Sequence, residues 1–221
     1  MPATIAVTGQ FLVRHDAERG TVRLSVALEG SSRDDVVERA ARLHGEMGRQ
    51  LGALHDPAAG PVTSWSSDQL RVWGQRPWNQ EGRQLPVVYY AAAGVAATFV
   101  DVAVLSSWLT EISLLDGITV DGVTWGLTED TLAAITDEAR RGAIAAAAHK
   151  AAVYAESLGL SRVRATALSD PGLLEHDDGP SPKGAARLSA FAADASRPGG
   201  FTLRPEEITV EVVVHARFAA E

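Results

Sequence analysis

The 221-residue chain has no cysteine, which excludes disulfides, thiolate nucleophiles and zinc sites built on sulfur. Positive charge is in the minority. Twenty Lys and Arg face 28 Asp and Glu, for a formal charge of −8, so non-specific binding to nucleic acid or to an anionic membrane is not expected. Long apolar runs are also missing. The most apolar stretch, YYAAAGVAATFV, ends after about a dozen residues, and a helix that spans a bilayer needs about 20. The N-terminus MPATIAVTGQFLVRH has neither a basic start nor an uninterrupted apolar core, so no secretory signal is expected and the cytoplasm is the expected compartment. AAAGVAATF lacks the spacing and the lysine of a phosphate-binding loop and the spacing of a dinucleotide fingerprint. No serine sits in a nucleophile-elbow pattern.

What remains is a globular chain, 46% hydrophobic, whose apolar residues fall into clear periods. Ile5 and Val7 alternate with Thr4, Ala6 and Thr8. Val22, Leu24, Val26 and Leu28 alternate with Arg23, Ser25, Ala27 and Glu29, and AERG lies between the two runs as a turn. Ser31 or Ser32 is placed to cap a helix with Asp34 and Asp35 in its first turn. Val36, Ala40, Leu43, Met47, Leu51 and Leu54 form its stripe, and Glu38–Arg42 is an expected i,i+4 pair. Residues 62–73 and 87–100 read as extended around the polar turn RPWNQEGRQLP. Asp101 opens a short helix with Val104, Leu105, Trp108, Leu109 and Ile112, and Gly122 marks a bulge or turn in the strand after it.

Thr128 caps a long helix that Gly159 closes, with Leu132, Ala139, Ala143, Ala147, Ala151, Tyr154 and Leu158 on one broad face. A strand is expected near 162–168. Residues 170–205 read as a long loop, with one short helix at AARLSAFAADA. The last strand places Ile208, Val210, Val212, Val214, Ala216 and Phe218 on one face. Strands apolar on one face and helices apolar on one stripe make an α+β fold, helices packed on one side of a largely antiparallel sheet.

GVTWGLTEDTLAAITDEARRGAIAAAAHKAAVYAESLGL resembles the signature of the SIMPL-domain family, related to periplasmic immunogenic proteins. Gly122, Leu127, Ala139, Ala143, Ala147, Lys150, Ala151, Ala155, Leu158 and Gly159 carry the match. TIAVTGQ and PEEITVEVVVHARF resemble the family's first and last strands. Members are commonly bacterial, exported and of unknown biochemical role, and the expectation of no export signal here departs from that pattern. The resemblance implies two α/β subdomains, one inserted into the other: an outer one from residues 1–85 and 161–221, and an inner ferredoxin-like one at 86–160. It also implies self-assembly, since some relatives form ring- or channel-like oligomers.

Candidate chemistry is sparse. His15-Asp16, His55-Asp56 and His176-Asp177-Asp178 are adjacent pairs in turns, and His44 and His55 stand about 16 Å apart along one helix, too far to share a metal. No metal, cofactor or catalytic residue is assigned. In WSSDQLRVWGQRPWNQEGR, Trp65, Trp73 and Trp78 alternate with Arg71, Arg76 and Arg83. Stacked arginine and tryptophan can hold a ligand, and both are enriched at protein interfaces. Arg140 and Lys150 border the alanine ridge, where long stems can reach a carboxylate, a ligand anion or water. The ligand or interface candidates are therefore Arg71, Trp73, Arg76, Trp78, Arg140 and Lys150. If the last strand lay beside the second, Glu211, His215 and Arg217 would share a sheet side with Arg23, Ser25 and Glu29. The expected protein is a non-enzymatic, self-associating scaffold. The alternative is a small-ligand module with its pocket between the subdomains.

Overall fold

The computed structural model describes residues 2–78, 84–173 and 203–221. In chain order they form strands β1 (Ala3–Asp16) and β2 (Arg19–Gly30), helix α1 (Arg33–Leu54), and strands β3 (Val62–Ser67), β4 (Arg71–Gln75) and β5 (Val88–Phe99). Helix α2 (Val102–Ile112), strand β6 (Ile118–Gly126), helix α3 (Glu129–Ser157) and strands β7 (Val163–Ser169) and β8 (Glu207–Ala220) complete the order. The fold is mixed α+β, with two antiparallel sheets. The helix expected at AARLSAFAADA, His176 and Arg83 lie outside the described residues.

The helix starts follow from local chemistry. Ser32 accepts from the amide of Asp35, Asp101 from those of Ala103 and Val104, and Thr128 from that of Thr131. Each satisfies a backbone donor that the first helical turn leaves without a partner, worth about 1 kcal/mol apiece. Gly159, at φ +75°, ends α3 in the left-handed region where a side chain is disfavoured. The helical ion pair that forms in α1 is Asp35–Arg39 at 3.3 Å. Glu38 and Arg42 form none among the described residues.

Among the described residues the chain divides into two compact units, one of residues 17–126 with 203–206 and the other of residues 2–16, 127–173 and 207–221. The inserted unit, residues 17–126, runs β2-α1-β3-β4-β5-α2-β6, with sheet order β3-β5-β2-β6 and every neighbouring pair antiparallel. Strands β3 and β4 lie end to end along β5. Leaving β4 aside, this is the βαββαβ order of a ferredoxin-like domain. The ferredoxin-like unit is thus an insert, but it occupies residues 17–126 where the resemblance placed it at 86–160. Val22, Leu24 and Val26 from β2 are buried with Val36, Ala40, Met47 and Leu51 from α1, and with Leu105, Leu109 and Ile112 from α2. Phe99 meets Trp108 at 5.5 Å between ring centroids, and the Trp108 indole donates to Gln50 of α1 at 2.9 Å. The amide of Glu18 donates to the Gly126 carbonyl at 3.0 Å, so the two ends of the insert meet.

The other unit is a three-stranded sheet, β1-β8-β7, with α3 packed across it. Ile5, Val7, Val214, Ala216, Phe218 and Ala220 bury against Ala143, Ala147, Ala151 and Ala155. A Cβ on Gly9 would lie 2.7 Å from the Ala147 amide nitrogen and 2.8 Å from its Cβ, so helix backbone and strand backbone nearly touch there. Alanine, with no rotamer entropy to lose, suits a helix held that close.

Two further sequence expectations change. Tyr154 and Leu158 are exposed, and the buried row is Ile135, Ala139, Ala143, Ala147, Ala151 and Ala155. That row keeps a strict four-residue step, which places Ala155 rather than its bulkier neighbour against the sheet. Strands β2 and β8 belong to different sheets, so Glu211, His215 and Arg217 share no sheet side with Arg23, Ser25 and Glu29. Period alone says which residues share a face, and pairing alone says which strands share a sheet.

Candidate functional site

The six sequence candidates fall into two groups. Four follow one another along β4 and the turn after it. Odd-numbered residues of β5, Ala91 to Phe99, point into the helical layer and are buried, so Tyr90, Ala92, Gly94, Ala96 and Thr98 form the opposite face and stay half-exposed. Pairing sets Trp73 opposite Tyr90 and Arg71 opposite Ala92 on that face. The Trp73 and Tyr90 rings stack at 5.5 Å and 16°, worth about 0.5–1.5 kcal/mol beyond their buried area. The Asp68 carboxylate lies over Gly94, where a side chain would collide with it. The result is an aromatic shelf beside a floor of small residues, flanked by one arginine and one aspartate.

Arg76 is spent on structure: its guanidinium donates to the Leu85 carbonyl at 3.1 Å, closing the turn between β4 and β5. Trp78 is 82% exposed. Next to it is a cleft of about 390 Å³, with Pro77 and residues 85–88 on one side and Glu29, Gly30 and Ser31 on the other. Volumes of this order suit a small ligand.

Arg140 and Lys150 belong to the other unit and act on neighbouring chain. Arg140 pairs with Asp137 at 2.9 Å on the exposed side of α3, and such a pair contributes only tenths of a kcal/mol, about 0.3–0.5. The Lys150 ammonium is exposed and donates to the backbone carbonyl of Thr8 at 2.8 Å.

The histidines are scattered. His15 Nδ1 meets the Asp16 carbonyl at 2.7 Å, and His55 Nδ1 meets the Val62 carbonyl at 3.0 Å. Asp56 accepts from the amides of Ala58 and Ala59 at 2.8 and 3.2 Å. Those two bonds favour the carboxylate and hold its pKa below the ordinary range, which is the behaviour of a turn residue. His44 Nε2 is buried with no hydrogen-bond partner. Among the described residues no three His, Asp or Glu gather into a metal-binding group.

Sequence reasoning missed Tyr90 and Asp68. Both carry the shelf through register against β5, and register is not visible in periodicity.

The family model described as SIMPL, protein of unknown function (DUF541), matches residues 5–218 of the chain. No curated protein matches it. No helix among the described residues is long and apolar enough to cross a membrane.

Proposed function

The chain belongs to the SIMPL family, and from that premise we propose that it is a non-catalytic protein that self-associates, adding strand β1 to the β1 of a second copy. One observation carries this reading. β1 is a 14-residue strand paired with β8 on one side, and no described strand lies on its other side. Half of its backbone donors and acceptors therefore point away from β8, and a long open edge is a template for another chain. The Thr8 carbonyl, reached by Lys150, lies on that outer side, and by strand alternation so do the amides of Ala6 and Gln10. Phe11 and Leu12, each 41% exposed, add apolar surface at the same strand. A catalytic role finds no support in the scattered histidines and the solitary, backbone-bonded Asp56.

The test is Ala6→Pro. Proline is tolerated where a strand amide faces outward at a sheet edge, and it cannot donate to an added strand. Light scattering after size exclusion should find the unchanged protein at the mass of two chains, the number that a β1–β1 pair closes. Ala6→Pro should be smaller, with an unchanged far-ultraviolet circular dichroism spectrum. A monomeric wild type, or an assembly indifferent to Ala6→Pro, overturns the reading.

A second reading is a small-ligand module, favoured by the Trp73–Tyr90 stack with Arg71 on the same face. An aromatic ligand bound there would raise the melting temperature and quench Trp73 fluorescence, and Trp73→Leu would abolish both effects.

A further inference from the structure

The inserted sheet carries a second polar feature, at the end opposite the aromatic shelf. Pairing sets Ser64 opposite Thr98, Thr98 opposite Thr21, and Thr21 opposite Thr124. One hydroxyl from each of β3, β5, β2 and β6 thus stands in a single row across the sheet. The threonine preference for strands explains any one of these residues, but not their alignment. A register shift between Val62 and Ser64 adds Thr63 to the row, as bulges do where a side chain is re-aimed. Thr63 donates to the Thr98 carbonyl at 3.4 Å, and the Thr21 and Thr98 hydroxyls bond each other at 3.0 Å.

Arg19 lies two residues before Thr21 on the same strand face and opposite Gly126. A Cβ at position 126 would sit 3.7 Å from Arg19 Nε, an ordinary contact distance, so the arginine stem lies across β6 at Gly126. The side chains of Arg19, Ser64 and Thr124 have no hydrogen-bond or ion-pair partner among the described residues. Together these residues line a recess of about 370 Å³. A guanidinium presents donors in a fixed fork that fits a carboxylate or phosphate, while hydroxyls both donate and accept and so match the hydroxyls of a sugar.

We propose that this recess binds a small polyhydroxylated oxyanion, with Arg19 on the anionic group and the hydroxyl row of Thr21, Ser64, Thr98 and Thr124 on the carbon skeleton. The anionic group is a phosphate or a carboxylate, and the binding experiment separates the two.

Isothermal titration calorimetry of the full chain with glucose 6-phosphate, gluconate, glucose and inorganic phosphate tests it. One or both polyhydroxylated anions should bind, with glucose and inorganic phosphate each about tenfold weaker or more. Arg19→Gln should weaken the bound anion by about tenfold or more. The double variant Thr21→Val, Thr98→Val should weaken it while leaving inorganic phosphate unchanged. A preference for glucose 6-phosphate identifies the phosphate, and one for gluconate the carboxylate; either upholds the assignment. No binding of either anion at millimolar concentration overturns it. So does Arg19→Gln that binds as wild type, or inorganic phosphate that binds as well as the larger anions. Should the variants not fold, amide shifts in the wild-type protein decide: they must centre on residues 19–21, 63–64, 98 and 124, and shifts elsewhere reject the site.

Discussion

Gly9 is the residue on which the packing of the terminal unit most depends. Its missing side chain lets β1 meet the α3 backbone at Ala143 and Ala147, and backbone cannot turn aside as a flexible side chain can. Gly9→Ala should therefore cost about 3 kcal/mol, the upper end for an overpacked site, read as a fall in the midpoint of urea unfolding. A change below about 1 kcal/mol would mean that α3 can shift outward at little expense. Nothing in the sequence marks Gly9 as different from Gly45 or Gly52, at which an added Cβ meets nothing within 4 Å. The distinction is one of neighbours. By contrast the caps Asp101 and Thr128 were readable from residue type and position, and the first cap was narrowed to Ser31 or Ser32, because an N-cap acts within three residues of itself.

At the scale of elements, α3 and β1 answer why an alanine helix carries a lysine. The alanines allow close approach, and at that distance the long stem of Lys150 reaches past the packed face to the Thr8 carbonyl. A lysine set on an open edge acts against strand addition, so it competes with the pairing proposed for β1. Lys150→Ala frees the carbonyl and should shift the association equilibrium toward larger species at equal protein concentration. Sedimentation velocity across a dilution series reads this, and an unchanged or weakened association would place the interface elsewhere. The helix starts and the alternation of β2 and β8 were legible because period and punctuation are local, whereas the break that divides residues 62–73 between β3 and β4 was not. The length of β1 was only half legible: after Val7 its pattern dissolves, and what holds residues 8–16 in a strand is pairing with β8, some two hundred residues away.

The whole molecule is one unit interrupted by another. The insert has its own core, a complete antiparallel sheet and ends joined by the Glu18–Gly126 bond, so residues 17–126 should fold when expressed alone. A single cooperative thermal transition with native-like near-ultraviolet dichroism is the expected result, and a broad transition without tertiary signal would deny it autonomy. What the sequence by itself determined is the class: three amphipathic helices, one-sided strands, the helix caps and the family signature, all set by spacings of a few residues. Tertiary structure alone decided that α3 joins the terminal strands, that residues 17–126 form the ferredoxin-like insert, that Trp73 stacks on Tyr90, and that four hydroxyls align beside Arg19. Each of these depends on strand order and register. Those arise from hydrogen bonds between distant segments, and no pattern within a single segment encodes which partner it will meet.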